Sequence, residues 1–139
     1  VFTRDLRVRD NPALAAACAE ADAVVPLFVL DPSLPIAACA NRVGFLFDAL
    51  RDLDASLRAR GGRLVLRRGA WVQEVLRVAG ATGAGTVHLA DDVSAFAQAR
   101  EASLRRAAAR QRVGVHTHPG VTVVPPGAVT PAAGGEFKV

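Results

Sequence analysis

Residues 3–14 read Thr3-Arg4-Asp5-Leu6-Arg7-Val8-Arg9-Asp10-Asn11-Pro12-Ala13-Leu14. They follow a short apolar start, Val1-Phe2, which reads as the end of a strand that includes Thr3. Asp10-Asn11-Pro12 then opens a helix. Asp or Asn accepts from the first free N–H groups, and Pro fits the first helical turn. The stretch is therefore a strand-to-helix loop, with the helix running through Ala-rich sequence to about Ala21. Charges crowded into such a loop are costly unless they pair with one another or with a ligand. The alternating signs make internal pairing easy, for example Arg4 or Arg7 with Asp5 or Asp10. Composition favours self-pairing and leaves the ligand reading open.

Outward from this loop, short apolar runs alternate with longer helical ones. Residues 23–30 (AVVPLFVL) form a continuous apolar run, as expected of a strand covered on both faces. Pro26 belongs near that strand's start or at a sheet edge. Residues 31–35 are a loop. A helix is predicted from about Asn41 to Arg60, with Val43, Leu46, Phe47, Leu50, Leu53 and Leu57 on one face and Phe45 off it. Gly61-Gly62 ends it. Further strands are predicted at 63–67, 86–89 and 113–117, with helices at 70–81 and 94–111. Residues 121–124 add an extended piece, and 125–135, rich in Pro, Gly and Ala, read as the start of a linker. The expected architecture is a doubly wound α/β fold with helices on both faces of a five-stranded parallel sheet. Ligands of such sheets sit beyond the carboxyl ends of the strands. The residues just after each strand are thus the ones to watch: 3–7, 28–32, 67–69 and 89–93.

The remaining motifs exclude more than they assign. There is no GxGxxG after the first strand, no GxxxxGK[ST] and no GxSxG. Asp91-Asp92 is a paired carboxylate at a strand end, expected to cap and pair. His88, His116 and His118 have no nearby nucleophile and read as packing or surface histidines. Cys18 and Cys39 show no zinc spacing and read as buried or half-buried thiols of a reducing cytoplasm. No catalytic constellation is visible.

Bulk properties agree with one ordered domain of 139 residues. Apolar residues make up 51%, the mean hydropathy is +0.25, and no apolar run reaches the ~18 residues needed to span a bilayer. The opening has no apolar signal region, so a cytoplasmic location is expected. The net charge is +4 and the pI about 10.4. The positive charge is almost all Arg, Lys138 being the only lysine. These arginines are spread along the chain, which argues against direct DNA binding by this segment. The Arg- and Ala-rich style looks actinobacterial. A start without Met and a stop at Phe137-Lys138-Val139 suggest a piece of a longer protein, with a domain at 1–124 and a linker at 125–139.

The opening run resembles the signature F-x-R-D-L-R-x-x-D-N-P-A-L of the DNA photolyase/cryptochrome family. Phe2, Arg4, Asp5, Leu6, Arg7, Asp10, Asn11, Pro12, Ala13 and Leu14 fit it. Thr3 stands where many members have Arg. Pro26-Leu27-Phe28-Val29-Leu30-Asp31-Pro32 is similar to the family's second strand and its L-D-P exit. Arg42 followed by Phe45, Leu46, Leu50 and Leu53 is similar to the next helix. Asp92, Phe96, Ala97 and Arg100 are similar to D-x-x-P-[YF]-[AG]-x-x-R. Val124-Pro125-Pro126-Gly127 and residues 137–139 are similar to the lead into a helical domain.

The resemblance implies a Rossmann-like antenna domain with strand order 3-2-1-4-5, itself not catalytic. It implies a following helical domain that binds FAD and damaged DNA and no membrane partner. The parent would be a carbon–carbon lyase that splits cyclobutane pyrimidine dimers with light. A cryptochrome photosensor without repair activity is the alternative. A second chromophore near the carboxyl edge would pass excitation to the flavin. The implied contacts are Arg4, Asp5, Arg7, Phe28, Leu30, Asp31, Arg42, Phe45 and Asp92. Ala90 stands where folate-using members have Asn, and Leu89 replaces a common aromatic. 8-Hydroxy-5-deazaflavin is therefore favoured over FMN or methenyltetrahydrofolate. Ser94 and Ala95 depart from the usual acidic residue and Pro. A nucleotide-binding domain of the universal-stress type shares the architecture, but needs a Gly-rich phosphate loop that the sequence lacks.

Overall fold

A computed structural model describes residues 1–34 and 39–120. Among these, helices and strands alternate as expected. The Asn11 side chain accepts from the Leu14 N–H at 2.9 Å and starts α1 (Pro12–Glu20) with Pro12 in its first turn. β1 (Leu27–Leu30) follows. It is shorter than the run 23–30 because Pro26 has no N–H to give a ladder. The Pro26 carbonyl still accepts from Val65 at 2.8 Å. α2 (Ala40–Arg58) ends in a turn in which Gly61 adopts φ +80°, a conformation that favours glycine. β2 (Val65–Arg68), α3 (Trp71–Thr82), β3 (Thr86–Ala90), α4 (Ala95–Arg110) and β4 (Gly114–His118) complete the order. Ser94 caps α4 through the Ala97 N–H. The extended piece at 121–124, the linker at 125–139, and Pro35 of the loop at 31–35 lie outside the described residues.

The strands form two parallel pairs rather than one five-stranded sheet. β1 pairs with β2, Leu27 opposite Val65, and β3 pairs with β4, Thr86 opposite Gly114. These are the outer pairings of the expected order. Residues 1–3 do not form a strand. Two residues are nonetheless bonded to both pairs: the Phe2 N–H donates to the Leu27 carbonyl at 2.8 Å, and the Val1 ammonium to the His88 carbonyl at 2.5 Å.

Strand alternation sends side chains to two cores. Leu27 and Val29 of β1 join Val87 and Leu89 of β3 against Trp71, Val75 and Val78 of α3 and Leu104 of α4. Phe28 points the other way, into a second cluster with Phe2 and with Leu50, Leu53 and Leu57 of α2. Helices therefore cover both faces. The apolar stripe of α2 is buried over its second half, whereas Phe47 and especially Phe45 are exposed. Cys18 is exposed, not buried as expected, and Cys39 is half-buried. No helix among the described residues is long and apolar enough to cross a membrane.

Candidate ligand site at the carboxyl edge of the strands

The charged loop is largely bonded to itself. Asp5 is buried, and its carboxylate accepts from the Thr3 N–H at 3.0 Å and from the Asn11 amide at 3.1 Å. The same amide donates to the Arg7 carbonyl at 3.0 Å, while the Asn11 oxygen caps α1. One buried Asn thus ties three turns of loop to the helix. Asp10 takes φ +48°, a conformation that Asp tolerates better than most residues. The exposed Arg7 donates to the carbonyls of Asp10 and Gly120, both at 3.0 Å. The expected pairing of Arg4 or Arg7 with Asp5 or Asp10 does not form; Asp5 and Arg7 are instead satisfied by neutral amide and carbonyl groups.

Arg4 behaves differently. It reaches out of the loop to Asp92, the exit of β3, at 3.1 Å. The other Asp92 oxygen accepts from the Ser94 N–H at 2.8 Å. Burial pushes the Asp92 carboxyl up, but the Ser94 and Arg4 donors outweigh it and hold the group below its ordinary pKa. Asp31, the exit of β1, is built alike. Its oxygens accept from the Ser33 N–H at 2.9 Å and the Trp71 N–H at 3.2 Å. There too burial raises the carboxyl and the N–H groups, with the Arg100 charge, bring it below the ordinary value.

Both carboxylates are near enough to influence the charge of Arg100 on α4. Its guanidinium sits 4.3 Å from the centre of the Trp71 ring and 5.4 Å from that of Phe96. Burial lowers its pKa, with the charges of Asp31 and Asp92 opposing. Trp71 is buried beneath it, and Phe96 and Val93 beside it are exposed. Arg100 was matched to the family stretch in sequence but not counted among the contacts. The signal was present: Phe96 and Arg100 are four apart on a helix, hence on one face.

The structure therefore gathers Arg4, Asp31 and Asp92 at one edge and keeps Asp5 and Arg7 in the adjoining loop. Phe28 is inside the core and Leu30 packs against it. Arg42 and Phe45 are exposed on the first turns of α2. Asp92 carries out the capping and pairing expected of it, and no group of metal-ligating side chains able to hold an ion occurs among the described residues. Ala90 is buried at the end of β3.

Comparison with known proteins places this geometry. The model of a family described as DNA photolyase matches residues 1–139. The chain is 49% identical over 137 residues to the deoxyribodipyrimidine photo-lyase of Streptomyces griseus, covering 96% of the chain and 30% of that protein. It is 40% identical over 94 residues to a cryptochrome DASH of Natronomonas pharaonis, covering 63% of the chain and 20% of that protein. Among solved structures it is similar to a bacterial class III photolyase from Agrobacterium tumefaciens, with TM-score 0.90, 28% identity, and coverage of 99% of this chain and 28% of that one. An archaeal photolyase from Sulfolobus tokodaii with two FAD molecules gives TM-score 0.73 at 28% identity, covering 85% and 28%. The chain thus spans under a third of the length of these relatives.

Proposed function

Because the chain belongs to the DNA photolyase family, we propose that it is the light-harvesting domain of a FAD-dependent photolyase that splits cyclobutane pyrimidine dimers. The carrying observation is the convergence of strand exits at one edge: Arg4 paired with Asp92, and Asp31 and Asp92 both near enough to influence the Arg100 charge. Such an edge, with guanidinium donors and an exposed aromatic face, suits a flat heteroaromatic ligand. In this reading Arg4, Asp31 and Asp92 shape the site. Asp5 and Arg7 hold its loop, and Phe28 and Leu30 support β1 from the core. Arg42 and Phe45 approach from the exposed start of α2. The second chromophore would supply excitation energy only; the lyase chemistry belongs to FAD in a helical domain following residues 125–139.

We read the second chromophore as 8-hydroxy-5-deazaflavin, with FMN next. Ala90 offers no amide to a folate, and the two FAD molecules of the Sulfolobus protein make a flavin-like occupant of some family members concrete. We further read residues 1–3 as the end of a central strand, giving the order 3-2-1-4-5. The bonds of Val1 and Phe2 to the two flanking pairs support that reading. The relatives named cryptochrome favour a second reading, a photosensor with the same antenna domain and no repair. An absorption spectrum of the protein with its downstream sequence, purified from its own host, tests the proposal. A band beyond that of flavin, or more than one flavin per chain, supports it; a single flavin per chain and no further band, from protein loaded under native conditions, count against it.

A further inference from the structure

Arg100 is a half-buried charged side chain near the carboxyl edge that makes no hydrogen bond or ion pair among the described residues. Arg4 donates to Asp92, and Arg7 donates to two carbonyls. Arg100 instead rests on Trp71. Two carboxylates lie near enough to stabilise its charge, but neither is in hydrogen-bond contact with it, and each already accepts on both oxygens from other donors. Asp31 gives one to Ser33 and one to Trp71, and Asp92 gives one to Ser94 and one to Arg4. The guanidinium is thus oriented by aromatic stacking and held by charge at a distance, and its planar fork of N–H donors is left unengaged. An Arg held over an aromatic ring is pre-organised to recognise a planar acceptor. Beside it, Phe96 is 51% exposed and Val93 54% exposed, an apolar surface open to a ring.

We infer that Arg100 recognises the acceptor edge of a flat tricyclic ligand, the edge carrying the pyrimidinedione carbonyls, while Phe96 and Val93 cover part of its ring. This rests on the antenna reading and adds to it a binding residue and the ligand edge it selects. Isoalloxazines and 5-deazaflavins share that edge, so riboflavin and FMN serve as probes. They differ by a phosphate, which separates ring recognition from phosphate recognition.

The test is titration of the 139-residue chain with each probe, following the fluorescence of Trp71, its only tryptophan. Thermal unfolding of every variant confirms folding. Arg100→Gln is expected to weaken both probes at least about tenfold, the scale of a charge-assisted hydrogen bond. Arg100→Lys, with charge but no fork, should recover only part of the loss. Phe96→Ala, at an exposed position, should fold normally and weaken both probes several-fold. If the wild-type chain binds both probes and folded Arg100→Gln binds them equally well, the assignment of Arg100 is wrong while the antenna reading stands. If Arg100→Gln weakens FMN alone, Arg100 meets the phosphate and the ring-edge contact is overturned. If Arg100→Gln does not fold, unchanged affinity in Phe96→Ala overturns the inference by itself. Failure of the wild-type chain to bind either probe overturns the ring-edge assignment, while the antenna reading stands or falls on the absorption spectrum.

Discussion

Arg4 and Asp92 are 88 positions apart in sequence and 3.1 Å apart in space. The pair is unequal. The Arg4 side chain is 66% exposed and that of Asp92 only 7%. The buried partner also caps the turn before α4 through Ser94, so the two ends of the pair should contribute differently.

Asp92→Ala removes a cap and a buried acceptor, and should destabilise the chain by about 1–2 kcal/mol. Arg4→Ala should cost under about 1 kcal/mol, since an exposed guanidinium is screened by solvent. Urea denaturation of both single variants and the double variant measures the difference. A coupling well under 1 kcal/mol is expected.

Asn11 carries more of the opening loop than any of its charges. Asn11→Ala removes the α1 cap and deprives the buried Asp5 carboxylate of a donor. The expected loss is about 2–4 kcal/mol. Arg7→Ala, at an exposed position, should lose less than about 1 kcal/mol. Equal effects in chemical denaturation would show that the loop is not organised around Asn11.

The cores and the start of α2 should respond oppositely to truncation. Leu104 is fully buried, and Leu104→Ala should cost about 2–5 kcal/mol. Phe45 is 77% exposed, and Phe45→Ser should stay within about 0.5 kcal/mol of wild type. If Phe45 faces the chromophore or the following domain, the same change weakens chromophore retention in the longer protein without moving the melting temperature of this chain.

His88 makes stability depend on pH. Its ring is buried between β3 and α1, stacked on His116 and His118, with Nδ1 3.0 Å from Nε2 of His118 and Nε2 3.4 Å from the Glu20 carboxylate. Burial lowers its pKa below 6.5; Glu20 opposes, and His118, His116 and the Val1 ammonium add to the lowering. The unfolded chain therefore takes up the proton first as pH falls. Stability is full above pH 6.5 and is lost as pH drops towards the folded value. Melting temperature should fall between pH 7.5 and 5, and His88→Gln should flatten that slope at a fixed N-terminus. A wild-type slope retained in the variant would contradict this.

Sequence patterning located the elements because periodicity reports burial. Residues 27–30 of the run 23–30 became a strand covered on both faces, and of the predicted α2 stripe Leu50, Leu53 and Leu57 are buried while Phe47 is exposed. Boundaries moved where local chemistry intervened, as Pro26 delayed β1. Of the five-stranded sheet only the two outer pairings form, and Val1 and Phe2 are bonded to both without forming a strand. Within the site, strand exits were legible from the rule that loops at the carboxyl edge hold ligands, and Arg4, Asp31 and Asp92 meet it. Arg100 was overlooked because it lies on a helix, two turns past the exit. Only packing against Trp71, distant in sequence, brings it to the edge. Phe28 could be assigned to a strand but not to a face, because an all-apolar run carries no alternation to choose one.

The action spectrum of dimer splitting by the protein with its FAD domain tests the central claim most directly. A light-harvesting domain predicts repair of dimer-containing DNA with an added maximum where the second chromophore absorbs, lost when that chromophore is removed. Repair that follows the reduced-flavin spectrum alone in chromophore-replete protein, or no dimer loss at any wavelength, would contradict it.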